Sequence, residues 1–199
     1  MAIILGEKWA RELWASEYRI RFELRPDGGA YVTKFTTAYD RARELARAAL
    51  GEADPIGVIA AWPHPSLEID WDGTNRDGFE IINEMGVPTD KYECAWNSWF
   101  HPADVEEEPW LHRAVRLTWD QADILLWNNI AYEISVRPRA PVHSRLVDLE
   151  RGVLVYAYDD RGMDVTALKA ADIVPLYRRY DRWLLDFDRP RMAEIFGRQ

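Results

Sequence analysis

The sequence predicts an α+β fold, a mostly antiparallel sheet flanked by helices, in a single domain over residues 1–199. Three observations predict it. Segments of helical period are interleaved with short runs of strand period. The 199 residues are 48% hydrophobic and 13% aromatic, which suits one packed core rather than a disordered chain. No internal repeat, low-complexity tract or linker divides the chain.

The elements follow in order. A first helix is expected from Gly6 to about Ser16, with Trp9, Leu13 and Trp14 on one side. "YRIRFEL" (18–24) alternates, with Ile20, Phe22 and Leu24 on one face and Arg19, Arg21 and Glu23 on the other, the pattern of a half-exposed strand. "RPDGG" (25–29) is turn chemistry, because proline fixes φ and glycine takes φ > 0. From Tyr31 to Leu50 the period becomes helical: Phe35, Ala38, Ala42, Leu45 and Ala49 form one stripe, and Gly51 stops it. "PIGVIAAW" (55–62) reads as a buried strand. Within 66–110, "SLEIDWDG" reads as a strand, "DGFEIINEMG" as a short helix and "KYECAWNSWF" as a strand, before a charged loop at 101–109.

A further strand is expected at 112–118. Thr118 and Gln121 then fit a capping box, in which each side chain satisfies the other's free backbone N–H. Asp120 and Asp123 add negative charge where the helix dipole favours it. This helix is expected to run to about Asn129, with Asn128 and Asn129 as C-terminal capping residues. Strands near 131–136, 145–149, 152–158 and 163–167 follow. Two helices, about 170–184 and 189–196, close the chain, the second with Asp188 as N-cap.

Charge is unevenly placed. The net charge is −9. Residues 1–51 carry 9 Lys/Arg against 7 Asp/Glu, and residues 111–199 carry 14 against 13. Residues 52–110 carry only Arg76 and Lys91 against 14 acids, a net of −12, and also hold Trp62, Trp71, Trp96, Trp99 and Trp110. So acidic a chain argues against nucleic acid as a partner, and "RPRAPVHSR" (137–145) reads as a solvated connection. The longest stretch without Asp, Glu, Lys or Arg, Pro55 to Leu67, contains three prolines, too short and broken for a membrane span. The start meets charge at Glu7 with no basic n-region or cleavage site, so no signal peptide is expected. A single cysteine, Cys94, rules out an internal disulfide and a multi-cysteine metal site; a cytoplasmic location follows most simply.

No catalytic motif stands out. His64, His101, His112 and His143 lack metal-ligand spacing. "DWDGTNRDG" (70–78) is a poor calcium loop, with its glycine misplaced, Arg76 intruding and Ile81 where a bidentate glutamate belongs. No Gly-rich phosphate loop, G-x-S-x-G or C-x-x-C is present, so neither a metal nor a cofactor is expected. Cys94, among aromatics, reads as a small buried residue.

"VLVYAYDDRGMDV" (153–165) reads first as a hairpin, with Val153, Val155 and Ala157 on one face and Leu154, Tyr156 and Tyr158 on the other. Asp159 to Gly162 would form its turn, with Gly162 in the left-handed conformation and Asp159 or Asp164 paired with Arg161. A catalytic Asp/Arg pair is the competing reading.

"YAYDDRGMDV" followed by "PLYRRYDRWLLDFDRPRMAEIF" (175–196) resembles the C-terminal part of a bacterial family known as domain of unknown function 3885. "YRIRFELRPDGGAYVTKFTTAYDRARELARAAL" is similar to that family's N-terminal part, and "LTWDQADILLWNN" occupies the place of the helix before its final strands. The resemblance implies an intact domain and no particular activity or catalytic residue.

Two functional expectations result. The first is a non-enzymatic cytosolic interaction protein, in its most concrete form an immunity-type inhibitor of a basic toxin. Asp70, Trp71, Asp72, Glu106, Glu107, Glu108 and Trp110 would form its docking face. The second is an enzyme or small-ligand protein with a pocket at Asp160, Arg161 and Asp164.

Overall fold

The computed structural model describes residues 12–61, 76–98, 110–134 and 136–197. Its elements in chain order are β1 (Arg19–Glu23), α1 (Tyr31–Leu50), β2 (Ile56–Ala61), α2 (Gly78–Glu84), β3 (Cys94–Ser98) and β4 (Trp110–Arg116). Then come α3 (Trp119–Glu133), β5 (Val142–Asp148), β6 (Val153–Ala157), β7 (Gly162–Ala167), α4 (Val174–Arg179) and α5 (Arg189–Phe196). The seven strands form one sheet of order β1-β7-β6-β5-β2-β4-β3, and every neighbouring pair is antiparallel. The fold is therefore α+β, as the interleaved periods predict.

Pleating sends alternate residues to opposite faces. One face carries Ile20, Phe22, Ile59, Leu146, Val155 and Val165 into the main core with α1 and α3. The buried stripe of α1 includes four alanines, Ala38, Ala42, Ala46 and Ala49, whose small side chains let the helix lie close to its neighbours. Gly57 does the same from the sheet: a Cβ there would come within 2.6 Å of Leu117 and 2.9 Å of Leu125. An ion-pair clasp joins the two helices. Asp123 of α3 receives Arg47 of α1 at 2.8 Å and Arg43 at 2.9 Å. The opposite face holds a smaller cluster of Leu13, Val58, Val147, Leu154 and Tyr156, against which Trp14 and Trp96 pack.

The helix over 31–50 forms with the expected bounds, and Gly51, at φ +79°, returns its N–H to Arg47 O at 2.8 Å. The Thr118–Gln121 capping box is present, with Thr118 N to Gln121 Oε1 at 3.0 Å. Four other expectations fail. The strand near 131–136 does not form, because α3 continues to Glu133 with Ile130 and Ala131 fully buried in the main core. Asn128 and Asn129 are consequently interior helix residues, not caps. The stretch 170–184 is three pieces: a 3₁₀ turn (Ala170–Asp172), α4, and a second 3₁₀ turn (Asp181–Trp183). Pro175, which has no N–H to continue a preceding turn, lies in the first turn of α4. Asp188 precedes α5 but its side chain makes no capping hydrogen bond; it pairs with Arg21 and Arg191 instead.

Of the first expected helix, residues 12–14 are helical, and the remainder lies outside the described residues. The strand expected from "SLEIDWDG" and the loop at 101–109 lie outside them too.

Candidate functional site

The turn over residues 158–161 joins β6 to β7, which carries Asp164. Asp159 organises it. Its carboxylate accepts from the backbone N–H of Arg161 at 2.7 Å and of Gly162 at 3.0 Å, and from Arg161 Nε at 2.7 Å. This is an Asx-type turn in which the side chain supplies acceptors that the backbone lacks. Asp160, 4% exposed, pairs with Arg25 at 3.2 Å. Asp164 does not reach for Arg161. It faces β1, pairing with Arg21 at 3.2 Å and Arg19 at 3.7 Å. Burial pushes the Asp164 carboxyl above its ordinary value, against the pull of both arginines. The three acids are thus each matched by an arginine of this chain.

Gly162 corrects the sequence reading. It is absent from the positive-φ glycines, so the left-handed conformation is not its reason. A Cβ at Gly162 would lie 1.9 Å from the Tyr158 hydroxyl oxygen and 2.4 Å from Cζ. Glycine is required because the phenol passes directly over the backbone.

Beside this turn, the same face of the sheet carries a basic and aromatic patch that the sequence reading did not find. Ala60 pairs with His143 on one side and His112 on the other, and His112 pairs with Trp96. One cross-strand row therefore reads His143, Ala60, His112, Trp96. His112 is 2% exposed and stacks on Trp96 with ring centroids 5.3 Å apart. Its Nε2 lies 3.1 Å from Ser98 O, which assigns the proton to Nε2 because a carbonyl only accepts. Arg145, one row on, is buried with its guanidinium 4.5 Å from the Trp14 ring and 5.2 Å from Tyr156. Burial lowers both histidines to about 4, with the Arg145 charge adding to the effect, and lowers Arg145 to about 10. At neutral pH the patch is two neutral imidazoles and one cation. Histidines so shifted lack the second, acidic proton of an imidazolium at neutral pH.

"RPRAPVHSR" is therefore not only a solvated connection: β5 begins at Val142 and carries Arg145 inside. The signal was present in "VHSRLVD", where alternation sets His143, Arg145 and Val147 on one side and Val142, Ser144 and Leu146 on the other.

Asp70, Trp71, Asp72, Glu106, Glu107 and Glu108 of the expected docking face lie outside the described residues. Trp110 opens β4, half-buried, with its ring 5.3 Å from that of His143, so it is a packing residue as much as a surface one. The described parts of the acidic segment supply β2, α2, β3 and the first residue of β4. Three arginines of this segment and of β4 are engaged internally. Arg76 bonds Glu84 at 3.0 Å, Arg116 bonds Glu93 at 2.9 Å, and Arg113 lies 4.1 Å from Phe79 and 5.1 Å from Tyr92. Cys94 is half-buried beside Ile56 and Ala114. Among the described residues no group of three or more His, Cys, Asp or Glu could hold a metal ion, and no helix is long and apolar enough to cross a membrane.

Fold and turn together define an α+β protein with a seven-stranded antiparallel sheet and an arginine-matched Tyr-Asp-Asp-Arg-Gly hairpin. Comparison with protein families adds the second step. Residues 8–188 match the model of the Domain of unknown function (DUF3885) family, and the chain belongs to it. No curated protein and no solved structure matched the chain.

Proposed function

We propose that this chain is a non-enzymatic interaction protein of the cytoplasm, in its most concrete form an immunity-type inhibitor that docks a basic toxin. The observation that carries the reading is charge segregation: a net of −12 is confined to residues 52–110. Their described portions belong to one end of the sheet, where three of the neighbouring arginines are already held by Glu84, Glu93 or aromatic rings. Clustered carboxylates raise the encounter rate with a cationic partner and offset their own repulsion when it binds. The alternative pocket at Asp160, Arg161 and Asp164 has less support, since all three side chains have ion-pair partners within the chain.

The test is co-expression with the product of an adjoining gene that encodes a basic protein, followed by stopped-flow binding across ionic strength. The expected result is an association rate that falls steeply as salt rises. A salt-independent rate, or an acidic partner, would remove the reading.

A further inference from the structure

Residues 174–197 carry five arginines. Two are matched by acids of the same segment: Arg189 pairs with Asp181 at 2.7 Å and Asp186 at 3.0 Å, and Arg191 with Asp188 at 3.3 Å. The other three, Arg178, Arg179 and Arg182, are exposed and enter no ion pair among the described residues. Aromatic rings hold two of them instead. Tyr180 and Trp183 are buried and stacked, with centroids 5.2 Å apart and 18° between their planes. The guanidinium of Arg179 lies 5.2 Å from the Tyr180 ring, and that of Arg182 lies 4.9 Å from the Trp183 ring. Arg41 of α1 reaches the same Trp183 ring at 5.2 Å and donates to Glu23 O at 3.3 Å. Burial lowers the pKa of Arg41, and the like charge of Arg182 lowers it further against the pull of Glu23. Four cations thus gather beside two acids, Glu23 near Arg41 and Glu44 near the Tyr180 hydroxyl, which do not balance them.

We propose that Arg41, Arg178, Arg179 and Arg182 form a docking surface whose occupant is a short acidic segment of a partner protein. This surface is separate from the acidic docking face proposed above and does not rest on it. An aromatic ring takes the flat face of a stacked guanidinium and leaves N–H groups at its edge, which suit the two oxygens of a carboxylate. Stacking also orders these side chains beforehand, so less entropy is lost when a carboxylate arrives. Like charges gathered in one place repel, and a bound anion relieves that repulsion. The chain's net charge of −9 limits the length of the occupant. A long polyanion such as nucleic acid meets that charge along its whole length. A short segment interacts with the arginines within a Debye length, about 8 Å. A second copy of the chain could offer its own acids, but basic face on acidic face is a heterologous contact, which builds open chains unless the rotation closes a ring.

The experiment uses the full chain and three fluorescent probes: a peptide of alternating glutamate and glycine, its glutamine counterpart, and a single-stranded oligonucleotide of equal charge. Binding is read by anisotropy on the unaltered chain, on Arg182→Gln, and on Lys91→Gln, which removes the same charge elsewhere. The expected result is that the glutamate peptide binds and the glutamine peptide does not. Arg182→Gln should weaken binding at least about fivefold, and Lys91→Gln by less than about twofold. Thermal unfolding checks that the variants are folded, and Arg179→Gln supplies the reading if Arg182→Gln is not. Failure of the glutamate peptide to bind, or equal losses in the arginine and lysine variants, would overturn the surface. Tighter binding of the oligonucleotide that is lost in Arg182→Gln would replace the protein segment by nucleic acid and overturn the proposal. Self-association of the free chain that is lost in the same variant would replace the partner by a second copy and overturn it too.

Discussion

At the scale of single residues, the requirement at Gly162 is spatial rather than conformational. Adding a methyl group drives it into the Tyr158 ring, which the Arg21–Asp164 pairing beneath helps to hold. Gly162→Ala is expected to destabilise the fold by about 2 kcal/mol, within the range for overpacking. In a Tyr158→Ala background the same change should cost far less. A double-mutant cycle by chemical denaturation reads this coupling, and equal costs in both backgrounds would return the requirement to the backbone. His112 and His143 give a second prediction. Both titrate near 4 in the folded chain, against 6.5 for an unperturbed histidine. As pH falls from about 6.5 towards 4, the unfolded chain takes up protons that the folded chain refuses, so stability is lost across that window. The loss is up to about 3 kcal/mol per histidine. Asp164, with its carboxyl raised by burial, acts in the opposite direction. Unfolding midpoints measured from neutrality down to about pH 4.5 should fall, and a His112→Gln variant should show a shallower slope.

Elements are joined here by side chains as well as by strand pairing. β5 pairs with β6 only from Leu146 to Asp148, so Val142 and Ser144 lack a strand on that side. Two asparagines of α3 take its place. Asn128 donates to Val142 O at 3.1 Å and accepts from Ala140 N at 2.6 Å. Asn129 donates to Ser144 O at 2.7 Å and accepts from Ser144 N at 3.1 Å. Each amide presents one donor and one acceptor, the same pair a neighbouring strand would offer. Asn129→Ala leaves a buried N–H and C=O unsatisfied, and should cost about 2–3 kcal/mol. Thr118→Ala, which removes half of the capping box at an exposed helix start, should cost about 1 kcal/mol. Thermal unfolding of the two variants decides their order; a neutral Asn129→Ala would show that water replaces the amide.

For the molecule as a whole, the acidic segment sets the expected binding behaviour. Charge reversal at Glu106, Glu107 and Glu108 should slow association with a basic partner, and change stability by about 0.5 kcal/mol or less if 101–109 is a surface loop. Stopped-flow rates and denaturation midpoints on one preparation separate these effects. Trp110 is a poorer probe, since its packing against His143 means that truncation also weakens the fold.

Much of this is legible in the sequence. Strict alternation marked β1 and the β6–β7 hairpin, the apolar stripe of Phe35 to Ala49 marked α1, and the Thr118–Gln121 pair marked the start of α3. These signals are local, and the physics that reads them acts within a few residues. Charge segregation was equally plain, because it depends on composition alone. Tertiary structure decided the rest. α3 outlasts its local signal because the sheet buries Ile130 and Ala131. Asn128 and Asn129 serve β5 because a gap beside that strand needs hydrogen bonds. Asp164 chose Arg19 and Arg21 over Arg161, and Arg145 came to lie against both Trp14 and Tyr156, through contacts between elements far apart in the chain. Such partners are set by strand order and register, and seven short strands admit many orders with the same local pattern.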